Sequence, residues 1–351
     1  MDLLQQQNLL YDNIFKGYYS DLPPTTRLSE SNVNDITPDS LNIHLILCYL
    51  KLVEIILPEE KISLIMELDT NWTDKRLMWN PQQYGGQAAF YTSAEKVWKP
   101  DVAFHRSSQI ADNRPDYMKL VRVNSNGTIK YYRTIVVETV CNFNIAILPF
   151  DEQTCLLQFI SNEMRIPFSI EIAQDFKQVP YSEMGNGEWR ILNMDIVNEN
   201  GLPSIRLVFK RNPSFYICLM ILPTFVINLL TIYGLFIEAA DDATRLNMVL
   251  TNIMSTSFIL SIMAESLPKT SYLPLLAIYV MVHISIALAA LAIYLIMDKL
   301  LTCKKIKWCK NKTPEPNDQR SKNSLHRISR ISLMLLFQLF NLINLIYFVS
   351  S

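Results

Sequence analysis

The stretch Phe215–Ile237 reads FYICLMILPTFVINLLTIYGLFI and carries no charge. A helix needs roughly 20 apolar residues to cross a bilayer, so this stretch is long enough to span. Three more follow it. Leu273–Met297 and Ile331–Val349 are also free of charge, and Leu246–Ala264 is uncharged but rich in hydroxyls and amides. One such segment would suit a buried helix of a soluble domain. Four in succession predict a membrane protein with spans at about 215–237, 246–264, 273–297 and 330–349.

The rest of the composition agrees. Of 351 residues, half are hydrophobic and 19% charged, with 8 Gly and a mean hydropathy of +0.13. Those figures exclude a disordered chain, a Gly-rich fibre and a small disulfide scaffold. Residues 1–214 hold 20 Lys+Arg against 26 Asp+Glu, and residues 215–351 hold 12 against 7, so the balances are −6 and +5. No strongly basic face is implied, which argues against nucleic acid as a partner. Asp298–Arg330 holds ten Lys+Arg against three acids, which places the loop 298–327 in the cytoplasm. Four spans then leave both termini outside. The loop Glu238–Arg245 falls on the cytoplasmic side too, although its three acids and one Arg run against the rule's bias. Met1–Tyr11 lacks the basic region and apolar run of a secretory signal, so an outside domain implies a leader beyond this numbering.

Residues 1–212 read as that outside domain. Apolar spacing predicts a short helix over Leu9–Tyr19, stopped before Pro23-Pro24. Short runs rich in Val, Ile, Tyr and Thr then predict strands at Ser40–Leu57, Ile62–Leu68, Leu120–Val123, Thr128–Cys141, Thr154–Ile160, Phe168–Ala173, Glu188–Val197 and Ser204–Lys210. Asn124–Gly127 and Asn198–Gly201 mark hairpin tips. Many short strands with regular turns predict a β-sandwich. The fold class is therefore α+β: an extracellular sandwich with a short N-terminal helix, then a four-helix transmembrane bundle over 213–351. Asn71 and Asn126 head glycosylation sequons, meaningful only outside the cell. Cys141 and Cys155 frame CNFNIAILPFDEQTC, and an oxidising compartment favours a disulfide between them. Cys48 and Cys218 read as buried free thiols. Cys303 and Cys309 lie among lysines without the partner ligands of a zinc site.

A disulfide-framed segment with Pro149-Phe150-Asp151 near its middle, ahead of four spans, resembles the Cys-loop family of pentameric ligand-gated ion channels. Trp72-Thr73-Asp74-Lys75-Arg76-Leu77-Met78-Trp79-Asn80-Pro81 is similar to that family's W-x-D-x-R-L-x-W-N-P block, followed by Tyr84-Gly85-Gly86. Trp98-Lys99-Pro100-Asp101 is similar to its W-x-P-D motif. Glu60-Lys61, Asn186–Trp189, Arg211 and Pro223 fit as well. The likeness covers almost the whole chain and lies nearest the nicotinic acetylcholine-receptor-like, cation-conducting branch, as a divergent invertebrate subunit. It implies a homo- or hetero-pentamer in a plasma, postsynaptic membrane, in contact with lipid, opened by an extracellular small-molecule agonist such as an amine. It implies no cofactor and no metal.

The second span can be read on its own terms. Asn247, Thr251, Ser255, Phe258, Ser261 or Ile262, and Glu265 recur at steps of three and four, so they share a helical face, and Met254 is expected to line the pore with them. Polar groups inside a membrane face a protein interior or water. The plain alternative is a helix hydrogen-bonded to its neighbours with no pore. Repeated fivefold, the face would ring a lumen with amides, hydroxyls and carboxylates around an apolar girdle of Met254 and Phe258. Asp241, Asp242, Thr244 and Arg245 form the cytoplasmic mouth. Thr244 stands where cation-selective relatives carry a glutamate, but the Pro-Ala of anion-selective relatives is missing too. Carboxylate rings concentrate cations, so Glu265, Asp241 and Asp242 tip the expectation toward cation conduction, opposed by Arg245 unless it turns away from the lumen.

The resemblance also implies an agonist box of aromatics, and here the sequence departs from it. His105, Asn162 and Glu67 replace a tyrosine and two tryptophans, and the hairpin Trp189–Lys210 lacks vicinal cysteines and tip tyrosines. One reading makes His105, Asn162, Glu67 and Glu163 a polar pocket for a small amine or a proton. The other makes the chain an auxiliary subunit that has lost agonist binding. Coupling of the sandwich to the pore is expected from Glu60, Pro149, Phe150, Asp151 and Arg211 meeting the Ser266–Tyr272 linker with Pro268 and Lys269. His283, Asn341 and Asn344 read as hydrogen-bonded packing residues within their spans. An enzyme is excluded on inventory: four His without ligand-pair spacing, no nucleophile elbow and no phosphate-cradling Gly loop. A membrane-anchored adhesion module is the alternative from another class, yet it would gain nothing from a polar second span.

Overall fold

The computed structural model describes residues 3–24, 41–112, 114–161, 168–237, 241–309 and 316–350. They form two compact units, Met1–Phe143 with Glu152–Lys210 and Asn144–Asp151 with Arg211–Ser351.

The first unit is a two-sheet sandwich behind a helix. Its strands are β1 (Ile43–Ile56), β2 (Lys61–Met78), β3 (Ala89–Ser93), β4 (Val102–Phe104), β5 (Ser107–Ala111) and β6 (Leu120–Asn124). They continue with β7 (Asn126–Val140), β8 (Glu152–Ser161), β9 (Phe168–Ile172), β10 (Trp189–Glu199) and β11 (Leu202–Arg211). One sheet has seven strands in the order β3-β6-β7-β2-β1-β9, with β5 also on β7; the other has four, β10-β11-β8-β4. Period-two alternation explains the layers. On β2, Ile62, Leu64, Met66 and Leu68 are sealed in the core, while Glu67, Asp69 and Asn71 take the opposite face. Asn200 and Gly201 both sit at positive φ between β10 and β11, the twist a two-residue hairpin needs.

The N-terminal helix is Leu3–Phe15, earlier in the chain than the expected Leu9–Tyr19. Leu10 is fully buried, and Tyr11 and Phe15 meet Phe90 edge-on. The Trp72–Arg76 block supports this docking. Asp74 is wholly buried, accepts from Arg76 Nε and Nη2 and receives the Tyr18 hydroxyl at 2.9 Å, whose oxygen accepts from Trp98 N. The strand pattern missed β3, β4 and β5 and ended β2 ten residues early. Those strands are short or polar on both faces, so no alternation marks them in the sequence.

Among the described residues of the second unit, four helices are long and apolar enough to cross a membrane: Ser214–Phe236, Asp242–Ser266, Leu275–Met297 and Arg327–Ser350. The first contains a π turn at Ile217–Ile221, directly before Pro223. Proline lacks the N–H that a regular helix would bond at that point, and the wider turn absorbs the mismatch. The stretch 298–327, expected as a loop, is helical at both ends: the third helix runs to Cys309 and the last begins at Pro316. Neither flank contains Gly or an internal Pro, so nothing in them stops a helix once it has left the membrane.

Candidate functional site

The second-span helix has two unlike faces. Arg245, Val249, Asn252, Thr256 and Met263 are buried. Asn247, Thr251, Met254, Phe258, Ser261, Ile262 and Glu265 are exposed, Met254 by 74% and Phe258 by 68%. Two large apolar side chains at mid-span, flanked by an amide and hydroxyls, form a stripe uncovered by this chain's other spans. Thr251 turns its hydroxyl back to the Asn247 carbonyl at 2.8 Å, so part of the stripe's polarity is satisfied within the helix.

At the stripe's other end the expected mouth divides. Asp241, Asp242 and Thr244 are exposed, and the Thr244 hydroxyl donates to Asp241, holding that carboxyl below its ordinary range. Of the mouth residues Arg245 takes the open alternative: it is buried away from the stripe. Its Nε donates to the Leu235 carbonyl at 3.1 Å and its Nη2 to that of Ile237 at 2.7 Å, while Nη1 reaches Asp242 at 3.1 Å. The guanidinium lies over the Tyr294 ring at 4.6 Å. It therefore caps the C-terminal carbonyls of the first span, where a helix dipole favours a cation.

The expected coupling residues fall into two groups. Within the second unit, Asp151 and Arg211 form a bidentate pair at 2.7 and 3.1 Å with neither side chain exposed. Arg211 Nη1 also donates to the Tyr216 hydroxyl at 3.1 Å. Leu148 packs in a cluster with Met220, Ile221, Tyr279 and Phe348, Pro149 is buried, and Phe150 meets Phe348 at 5.8 Å. The Leu275 amide donates to the Ala146 carbonyl at 2.8 Å, and Tyr272 reaches Asn144. So the Asn144–Asp151 tip packs on the first, third and last spans. Pro268 is half-buried and Lys269 exposed in the linker after the second span. Glu60 belongs to the sandwich unit, where it holds a left-handed turn and accepts from the Cys141 amide at 2.7 Å. Cys141 and Cys155 are disulfide-bonded with Cα atoms 5.7 Å apart.

The agonist-type positions are scattered. Glu67 is half-buried on β2, where it accepts the Tyr132 hydroxyl from β7. Burial first, then that carboxylate, push the Tyr132 phenol up to about 12. Asp69, opposite Tyr132 in register, has its carboxyl raised by burial, with Lys130 and Asn71 pulling the other way. His105 follows β4 in the other sheet and donates its backbone N–H to the Gln158 carbonyl at 2.7 Å. No hydrogen bond among the described residues joins it to Glu67. Asn162 and Glu163 lie outside the described residues. Tyr132 and Asp69 escaped the sequence reading, although period two from Glu67 would have marked Asp69.

Two smaller expectations change. Asn126 sits exposed at the β6–β7 hairpin, but Asn71 is half-buried in mid-strand with its amide oxygen sealed, a poor place for a glycan. Cys218 is exposed on the first span rather than buried, and Cys48 is half-buried, its thiol pushed up chiefly by burial.

Against known proteins, residues 7–212 match the model of the neurotransmitter-gated ion-channel ligand binding domain. The chain is 25% identical over 292 residues to neuronal acetylcholine receptor subunit beta-3 of Homo sapiens, covering 80% of this chain and 60% of that protein. It is 24% identical over 259 residues to acetylcholine receptor subunit alpha-type deg-3 of Caenorhabditis elegans, 68% and 46% of the two. It is 22% identical over 298 residues to acetylcholine receptor subunit alpha-like of Manduca sexta, 78% and 54%. The matched region thus spans about half to three-fifths of each of these relatives. With its sandwich, its disulfide-framed tip and a family match over more than half its length, the chain belongs to the neurotransmitter-gated ion-channel ligand-binding-domain family.

Proposed function

We propose that the chain is one subunit of a pentameric, cation-conducting channel of the plasma membrane, opened by a small extracellular ligand. The observation that carries this reading is the two-faced second span. Its polar and apolar stripe from Asn247 to Glu265 is left uncovered by the chain's own helices, as a face awaiting a lumen or a neighbouring subunit would be. The withdrawal of Arg245 supports cation preference, because of the four mouth residues Asp241, Asp242, Thr244 and Arg245 the exposed charges are then the two carboxylates. An outward N-terminal domain, an Asn126 glycan and a divergent, invertebrate, postsynaptic setting belong to the same proposal.

For the ligand, the auxiliary reading is favoured. Glu67 is engaged by Tyr132, and no aromatic stands at it or at His105, so this chain contributes little to a cage for a quaternary amine. The partners are then related subunits that supply complete agonist sites. Oocytes expressing the chain alone, and together with acetylcholine-receptor subunits that carry the aromatic box, test this. Agonist current with altered conductance only on co-expression is the expected result. Unaltered partner currents, with no chain at the surface in complex, would overturn it.

A further inference from the structure

Each span contributes one buried amide or imidazole to a single polar hub. Asn228 of the first, Asn252 of the second, His283 of the third and Asn341 of the last are exposed by no more than 2%. Asn228 is the node. Its Nδ2 pairs with His283 Nδ1 at 2.9 Å and donates to Asn341 Oδ1 at 3.1 Å, and its Oδ1 accepts from Asn252 Nδ2 at 3.1 Å.

The node spends its own capacity and leaves its partners short. Asn252 Oδ1, Asn341 Nδ2 and His283 Nε2 are buried with no hydrogen-bond partner. With Nδ1 accepting from Asn228, the neutral imidazole carries its proton on Nε2. The unmet set is then one acceptor and two N–H donors. In a hydrocarbon-facing bundle such groups have no solvent to turn to, and each costs about as much as a lost hydrogen bond.

We propose that this hub binds a water-sized, uncharged molecule, with water itself as the resident ligand. Water matches the unmet set: one O–H for Asn252 Oδ1 and two lone pairs for the N–H groups of His283 and Asn341. An apolar occupant meets none of the three, and an ion would have no ionised side chain in the hub to balance it. Small polar occupants of this kind typically make two to four hydrogen bonds to otherwise unsatisfied groups. The consequence for movement rests on the channel reading. Asn252 lies on the buried face of the second span, and a mobile partner lets that helix turn while its amide exchanges bonds rather than losing them.

The test reads hydration, not conduction, so its outcome is independent of the channel reading. The full chain, labelled with ¹⁵N-histidine and ¹⁵N-alanine, is reconstituted in lipid nanodiscs for water-edited solid-state NMR. The four histidines are assigned by His283→Phe or, where that variant does not fold, by elimination with His44→Gln, His105→Gln and His326→Gln. The His283 ring should receive water magnetisation several-fold faster than the backbone of Ala290, buried on the same helix. Transfer as slow as that of Ala290 would show a dry hub and overturn the proposal.

Discussion

At the scale of single residues, two carboxylates behave in opposite ways. Asp151 is buried but doubly bonded to Arg211, so each charge depends on the other. Removing one partner of such a pair strands the second, at a cost of about 3–5 kcal/mol. Asp151→Ala and Arg211→Ala should each lower the melting temperature of the purified receptor and reduce its surface level. A near-neutral result in both would show the pair to be solvated. Asp69 is the reverse case: burial raises its carboxyl, so the fold prefers the protonated acid. A folded value above the unfolded one means that stability is greatest below the ordinary carboxyl range of about 3.9 and is lost as pH rises through the folded value. Asp69→Asn should therefore stabilise the protein near pH 7, with the gain shrinking to nothing as pH falls below that range. Chemical denaturation at several pH values checks this, and a gain that grows in acid would contradict the sign.

At the scale of the element, the second span was legible as a helix of bilayer length, and the face that its steps of three and four mark is the one that lines the pore on the channel reading proposed above. Cysteines placed at Asn247, Thr251, Met254 and Phe258 should react with water-soluble thiol reagents, and those at Val249 and Thr256 should stay protected. The side to which Arg245 turns was left open by the sequence. In sequence it is one charge at the mouth, and only the fold brings the Leu235 and Ile237 carbonyls to its guanidinium. Arg245→Gln should thus impair assembly or stability while leaving cation-over-anion permeability within about twofold. Asp241→Asn should do the opposite, lowering cation conductance with little effect on surface level. A reversal potential that shifts with Arg245→Gln would place its charge back in the conduction path.

At the scale of the whole molecule, the disulfide Cys141–Cys155 closes a loop of about 15 residues, which the chain-entropy model values at roughly 3 kcal/mol. Replacing both cysteines with serine should cost a comparable share of stability, seen as retention inside the cell and a lower melting temperature. A homomer of this chain should also stay silent to micromolar acetylcholine. Each missing aromatic removes about 0.5–2 kcal/mol of cation–π attraction, and every 1.4 kcal/mol is a factor of about ten in affinity. A robust homomeric acetylcholine current would refute that.

What the sequence determined by itself was whatever depends on local period and on the solvent: four apolar segments of bilayer length, the alternating strands, the hairpin tips and the disulfide frame. The spans and strands follow from hydrocarbon thickness and from the two- and 3.6-residue repeats, the hairpin tips from their turn residues and the disulfide from an oxidising compartment, and none of these needs knowledge of distant neighbours. Only the tertiary structure decided the fate of the polar minority. Arg245 became a cap, Asp151 and Arg211 a buried pair, and Asn228, Asn252, His283 and Asn341 one hub from four separate helices. Glu67 was tied to Tyr132 from a strand more than sixty residues away. The physical reason is common to all of them. A polar group in a low-dielectric interior is stable only with a partner, and which partner it finds is set by how separate elements pack: far along the chain for Asp151, Glu67 and the hub, and across the link between two helices for Arg245.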